Sequence, residues 1–178
     1  MLVCCRVTGV TYRVREDKVM AGKTAQEKGY DFEDFTQSVL FKLRENSRAA
    51  FHRFYDTKST AGGILPGQPG DFLLVKSGVA LIIECKSSVV ESTMSRKYIS
   101  SSVDTEQAAK MWVFTRAGAK GIYLFYSEIT DKIEVWPCNY IRTVAVTPRM
   151  QPDLGQRIDV FSKDKDQLYS FLENFMRN

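Results

Sequence analysis

The large apolar side chains of the first half fall into two rhythms. From Lys23 to about Arg44, Phe32, Phe35, Val39 and Leu43 recur at steps of three and four, which gathers them on one face of a helix. Further on, the apolar runs Phe72 to Val75 and Val79 to Ile83 flank Lys76-Ser77-Gly78, the pattern of adjacent antiparallel strands joined by a tight turn. With Ser77-Gly78 as the turn, Lys76 faces Val79, Leu74 faces Leu81, and Asp71 falls opposite Glu84. Between these segments, Ala49 to Tyr55 predicts a strand and Asp56 to Gln68 a long loop. After the hairpin, the hydroxyl-rich stretch from Ser87 to Ser102 reads as a solvated connection. Asp104-x-x-Gln107 then resembles a capping box, opening a helix through Ala108, Met111, Trp112 and Thr115 that stops at Gly118. Gly121 to Tyr126 predicts a buried strand, paired through Thr130-Asp131 with Ile133 to Trp136. Tyr140 to Thr147 reads as one more extended segment. From Ser162 onward a closing helix puts Leu168, Phe171, Leu172 and Phe175 on one face. Residues 1–21 alternate weakly and read either as an added strand or as a loose N-terminal extension. The expected fold is α/β: a mixed central sheet built around the hairpin and flanked by helices, with the segment 162–178 packed outside.

Composition narrows this to one domain spanning 1–178, because 178 residues with 44% hydrophobic and 26% charged content can bury a sizeable core. The net charge of +4 permits a nucleic-acid partner without demanding one. Four cysteines form no C-x-x-C pair, which points to a reducing compartment. Arg6, Arg13 and Arg15 interrupt the apolar opening before a membrane-spanning length is reached, so a cytoplasmic protein without a membrane partner is expected. His52 is the only histidine, which removes multi-histidine zinc sites and leaves Ser-His-Asp hydrolysis dependent on one residue with no nucleophile motif beside it.

The hairpin carries the chemistry. Direct cross-strand neighbours have Cβ atoms about 4.5–5.5 Å apart, so Asp71 and Glu84 repel unless a cation sits between them or one takes a proton. Side chains alternate along a strand, which puts Glu84 and Lys86 on one face and turns Cys85 away, its backbone carbonyl near the pair. Oxygen ligands without histidine or thiolate suit Mg²⁺ or Mn²⁺. An ammonium beside them stabilises the charge that develops in phosphoryl transfer, and the expected chemistry is phosphodiester hydrolysis. The competing reading is a charged, solvated strand end. The hairpin register, the Gly/Pro-rich approach and the flanking helices favour the first.

Asp71, twelve intervening residues and Glu84-Cys85-Lys86 resemble the PD-(D/E)XK nucleases, with one departure: Pro69-Gly70-Asp71 sets a glycine between the usual proline and aspartate. Within that superfamily, Ile83-Glu84-Cys85-Lys86-Ser87 is similar to the archaeal Holliday-junction resolvases and, more loosely, to the RecU-type bacterial ones; the likeness runs from Lys28 to Trp136. It implies a restriction-endonuclease-like core. Gly29-x-x-x-Glu33 resembles the first-helix glutamate motif, which implies that Glu33 joins the metal site; otherwise Glu33 is an ordinary surface glutamate. Gln107 resembles the glutamine that positions the water or the lysine, and equally serves as a cap. Lys58, Ser59 and Thr60 occupy the place of a mobile, hydroxyl-bearing phosphate contact, and Arg96 and Lys97 suit backbone phosphates. The implied function is a Mg²⁺-dependent DNA endonuclease, with Mn²⁺ able to substitute. It would act on branched or four-way-junction DNA as a homodimer, in a cell or, for a viral protein, in the host cytoplasm. The Tyr- and Phe-rich strands offer an apolar interface for that dimer. Another nuclease of the same fold and a non-catalytic DNA-binding protein are the alternatives. Gly121-Ile122-Tyr123 invites comparison with GIY-YIG nucleases, but the later Tyr140-Ile141-Arg142 lacks the glycine.

Overall fold

The structure, a computed structural model, describes residues 24–54, 68–89 and 96–177. Its organising element is the hairpin of β2 (Phe72–Lys76) and β3 (Val79–Ser88), closed by Ser77 and Gly78. Both turn residues have positive φ, 51° and 81°, the twist that a two-residue antiparallel turn requires. The register is the one the sequence predicts: Lys76 pairs with Val79, Leu74 with Leu81 and Phe72 with Ile83.

Around it lies a six-stranded sheet in sequential order. β1 (Ala50–Arg53) adds antiparallel to β2, and is shorter than the strand expected from Ala49 to Tyr55. β4 (Lys120–Ser127) lies parallel to β3, followed by antiparallel β5 (Lys132–Pro137) and β6 (Asp159–Ser162). The single parallel pair needs a crossover. The chain supplies it with α2 (Arg96–Ser102) and α3 (Thr105–Arg116). This is the α/β architecture expected, a mixed central sheet flanked by helices.

The two faces of the sheet are covered by different helices. On one face α1 (Ala25–Ser47) and α5 (Lys165–Phe175) bury Phe32, Val39, Leu43, Leu168 and Leu172 against Leu74, Leu81, Ile83 and Leu124. A reciprocal cap starts α1: the Thr24 hydroxyl accepts from Glu27 N–H at 3.2 Å and the Glu27 carboxylate accepts from Thr24 N–H at 2.7 Å. On the other face α2, α3 and α4 (Cys138–Val146) bury Ile99, Met111, Ile141 and Val144 against Ile82, Tyr123, Phe125 and Trp136. Each strand's even and odd residues thus serve separate cores.

Several expectations are corrected here. Tyr140 to Thr147 is not extended; it lies almost wholly in α4, where Cys138, Ile141 and Val144 are buried at three-residue steps. The β-branched residues Thr143, Val144 and Val146 imitate a strand, but the burial period is helical. The connection after β3 is not wholly solvated, because Ile99 anchors the short α2 in the core at 0% exposure. β6, too short to announce itself in sequence, occupies an edge, and α5 begins only after it, capped by Asp164. The aromatic strand residues Tyr123, Phe125 and Trp136 are fully buried and therefore fill the core rather than an interface. Among the described residues no helix is long and apolar enough to cross a membrane. Residues 1–21 lie outside those described.

Candidate active site

Asp71 is a bend residue immediately before β2. Its N–H donates to the Ile83 carbonyl at 2.9 Å, one residue off the Phe72–Ile83 pairing, and this holds it at the end of the hairpin beside Glu84. The preceding glycine explains the departure from the expected Pro-Asp dipeptide. A Cβ at residue 70 would lie 2.7 Å from Ile82 Cγ2 and 2.9 Å from the Ile83 carbonyl oxygen, so only glycine lets the chain close onto β3 here.

Phe72, Leu74 and Ile83 face the α1–α5 core, so Glu84 shares the opposite face with Leu73 and Ile82. Glu84 is 1% exposed and both of its oxygens are engaged. Lys86, two residues along the same face, forms an ion pair with Oε1, and Gln107 Nε2 donates to Oε2 at 2.7 Å. Asp71 Oδ2 accepts from the Cys85 N–H at 2.7 Å. A strand residue sends its N–H and C=O to the same side, so the Cys85 carbonyl lies toward Asp71 as well. The Cys85 thiol points into the α1 side, where it meets the Thr36 hydroxyl at 3.6 Å.

Electrostatics follow from this packing. Burial, then the charges of Glu84 and Glu33, push the Asp71 carboxyl well above the usual carboxylate range; the Cys85 N–H and Lys86 only partly offset them. Burial also raises Glu84, against the charge and hydrogen bond of Lys86. For Lys86 burial opposes the charge, but Glu84 and then Asp71 outweigh it, and the ammonium is held above its ordinary value. Two carboxylates therefore compete for one cation in a poorly solvated site. The Cys85 thiol is likewise pushed up by burial and stays unreactive.

The structure brings together Asp71, Glu84, Lys86, Gln107 and the Cys85 backbone. Glu33 lies near enough for its charge to raise Asp71 and Glu84, but its Oε2 is paired with Arg53 at 2.7 Å, and the same guanidinium binds Asp34 and Gln37. Among the described residues no three His, Cys, Asp or Glu side chains converge as a ready ligand set. The hard oxygens at hand for a divalent cation are those of Asp71 and Glu84 with the Cys85 carbonyl, a donor set that suits Mg²⁺ or Mn²⁺. Lys97 is exposed on α2, while Lys58, Ser59 and Thr60 lie outside the described residues, as does the side chain of Arg96. His52 is an exposed strand residue edge-on to Phe54.

Sequence reasoning overlooked two neighbours of the site. Arg53 shares the inward face of β1 with Phe51, and a cation in phase with an apolar strand face signals a carboxylate partner. Tyr123 is the parallel-strand partner of Glu84, fully buried, with a hydroxyl that has no hydrogen-bond partner among the described residues. Its only sequence signal is a hydroxyl inside an otherwise apolar run.

No protein-family model matches the chain, and no curated protein matches it. Among solved structures it is similar to Hjc, a Holliday junction resolvase from the archaeal hyperthermophile Archaeoglobus fulgidus. The two are 14% identical, the match covers 78% of this chain and 91% of that one, and the TM-score is 0.40.

Proposed function

We propose that this protein is a metal-dependent DNA endonuclease, and that its substrate is branched DNA, most narrowly a four-way junction. One observation carries the reading: a half-buried and a buried carboxylate, Asp71 and Glu84, lie close enough at the open end of a hairpin for the charge of Glu84 to raise Asp71, with an ammonium and an amide already fixed on Glu84. Pairs of this kind are costly to a fold and are retained where a cation or a developing charge uses them.

Asp71, Glu84 and the Cys85 carbonyl would hold Mg²⁺ or Mn²⁺, and Glu33 would join only by leaving Arg53. A cation bound there supplies Lewis acidity toward a phosphoryl oxygen and toward the attacking water. The chain's own residues do the rest. Gln107 fixes the Glu84 carboxylate, and Lys86, whose side chain is 23% exposed against 1% for Glu84, presents its charge toward solvent where the scissile phosphate would approach. Because Glu84 keeps Lys86 protonated, the lysine acts as an electrostatic stabiliser rather than as the base.

The capture of Glu33 by Arg53 favours a second reading, a DNA-binding protein that cuts nothing. Labelled four-way junction, duplex and single strand, each with and without Mg²⁺ or Mn²⁺, separate the two. The expected result is metal-dependent cleavage of the junction; wild-type protein that cuts none of them overturns the nuclease reading. A resolvase cutting two symmetric strands acts as a homodimer. Sedimentation at micromolar concentration that gives only monomer, with and without junction DNA, restricts the reading to a monomeric nuclease of the same fold.

A further inference from the structure

Away from the carboxylate pair, where the C-terminal half of α3 meets the starts of β4 and α4, there is an open cavity of about 350 Å³. Trp112, Thr115, Arg116, Lys120, Cys138 and Asn139 line it, and no carboxylate does. Its floor depends on Gly121, where a Cβ would lie 2.7 Å from Cys138 Sγ and 2.9 Å from Thr115 Cγ2. Strand and helices close tightly beneath the cavity while its mouth stays polar.

Two guanidiniums lie on the Trp112 ring, that of Arg116, which lines the cavity, and that of Arg142, which lies outside its lining. Arg142 lies 4.5 Å and Arg116 5.1 Å from the centre of the Trp112 ring. Among the described residues neither pairs with a carboxylate, whereas nearby Lys110 pairs with Glu106 and Lys120 donates to the Phe175 carbonyl. A guanidinium stacked on indole is held in plane with its fork of donors facing outward, ready for a bidentate anion. Arg116 is also exposed, so it can leave the ring for a phosphate. An indole, the Arg116 guanidinium and the Asn139 amide around one small cavity, with the Arg142 guanidinium on the same indole, match a planar base joined to a phosphate.

The placement points to a strand of nucleic acid. α3 also carries Gln107, which holds Glu84; Trp112 and Arg116 lie five and nine residues beyond it, roughly 8 and 14 Å farther along the helix axis and about 140° and 180° around it, so a strand reaching both sites crosses over α3. We infer that the cavity binds one nucleotide of a single strand, its phosphate on Arg116 and Arg142 and its base against Trp112. The identity of the polymer rests on the nuclease reading, while the nucleotide site itself stands on this geometry.

The test is fluorescence anisotropy with a labelled oligothymidylate, the full chain and a chelator, so that no metal chemistry enters. Arg116→Ala with Arg142→Ala should weaken binding about tenfold and shrink the salt slope by about 0.7, for the one single-strand phosphate that is no longer neutralised. Arg116→Ala alone, an exposed helix-surface change, should lower the slope by about half as much and guards against misfolding of the double variant. Thymidine monophosphate should compete at concentrations at least tenfold below inorganic phosphate. Unchanged affinity and slope in both variants overturn the site whatever the cleavage assay shows, and equal competition by inorganic phosphate overturns the nucleotide. Wild-type protein that binds through these arginines and yet cuts no DNA leaves the site standing and removes the nuclease reading.

Discussion

The β2–β3 hairpin carries a charged cluster at each end, and the two are balanced in opposite directions. At the turn, Lys76 is 8% exposed and pairs with Glu173 of α5 at 2.5 Å, while Arg177 joins the same carboxylate at 2.8 Å. Two cations serve one carboxylate, and their hydrogen bonds hold Glu173 down at about 2. At the open end two carboxylates share Lys86, and both are pushed up. The first cluster ties the C-terminal helix to the hairpin. The second leaves a negative charge that the fold does not compensate. Position in the hairpin and low solvent access are alike at the two ends, so charge balance is what separates a structural tie from a site.

Neutralising one carboxylate at each end should therefore move stability in opposite directions. Asp71→Asn keeps an acceptor for the Cys85 N–H but removes the repulsion with Glu84, so the unfolding midpoint should rise by about 2–4 °C for each 1 kcal/mol relieved. Cleavage by the same variant should fall at least about a hundredfold. Mg²⁺ at a hundred times its dissociation constant should stabilise the wild type by about 2.7 kcal/mol and leave Asp71→Asn unmoved. A variant that is destabilised yet still cuts would show that the open end is only a strand terminus.

Lys86→Ala sharpens the comparison on the rate side. If the ammonium works on the transition state, cleavage should drop about a hundredfold or more while junction affinity stays within about threefold, because an interaction made only in the transition state leaves ground-state binding alone. If it merely neutralises a phosphate, affinity falls modestly and the salt slope shrinks by about one. Both are measured on the same junction DNA.

At the turn, Glu173→Gln leaves the buried Lys76 without its counter-charge and should cost about 3 kcal/mol. The pH dependence has a definite sign. A depressed carboxyl stabilises the fold fully above its ordinary value of 4.5 and loses that contribution as pH falls toward about 2. Urea midpoints of wild type and variant should therefore differ by a constant amount above pH 5 and converge below it. A gap that keeps its full size at pH 2.5 would mean that Glu173 acts through packing rather than charge.

The hairpin was legible because its information is local: two apolar runs, a turn that demands positive φ, and a register that follows from counting. Alternation along β3 brings Glu84 and Lys86 to one face, and the register brings Asp71 to their end of the hairpin. Glu33 was harder, because a helix position is readable but the partner of its carboxylate is not; Arg53, twenty residues away, holds it through the packing of α1 on β1. α4 was misread for a related reason, since β-branched residues suit a strand locally while tertiary burial at Cys138, Ile141 and Val144 selects the helix. The cation-rich turn was invisible, because Lys76 and Glu173 are 97 residues apart in sequence.

The smallest expected effect belongs to Gln107, where the sequence allowed a cap and a site residue equally. In the structure the capping is done by Asp104, whose carboxylate accepts from the N–H groups of Glu106 at 2.8 Å and Gln107 at 3.2 Å, and the Gln107 side chain is spent on Glu84. The two roles thus fall on different residues and separate cleanly. Asp104→Ala should cost about 1 kcal/mol of stability through the missing cap. Gln107→Ala removes one hydrogen bond to a buried carboxylate and should slow cleavage about tenfold, the equivalent of about 1.4 kcal/mol in the transition state, with junction affinity unchanged. Gln107→Glu, which sets a third carboxylate against Glu84, should be slower still. If Gln107→Ala lowers the unfolding midpoint as far as Asp104→Ala and leaves the cleavage rate alone, the glutamine belongs to the helix and not to the site.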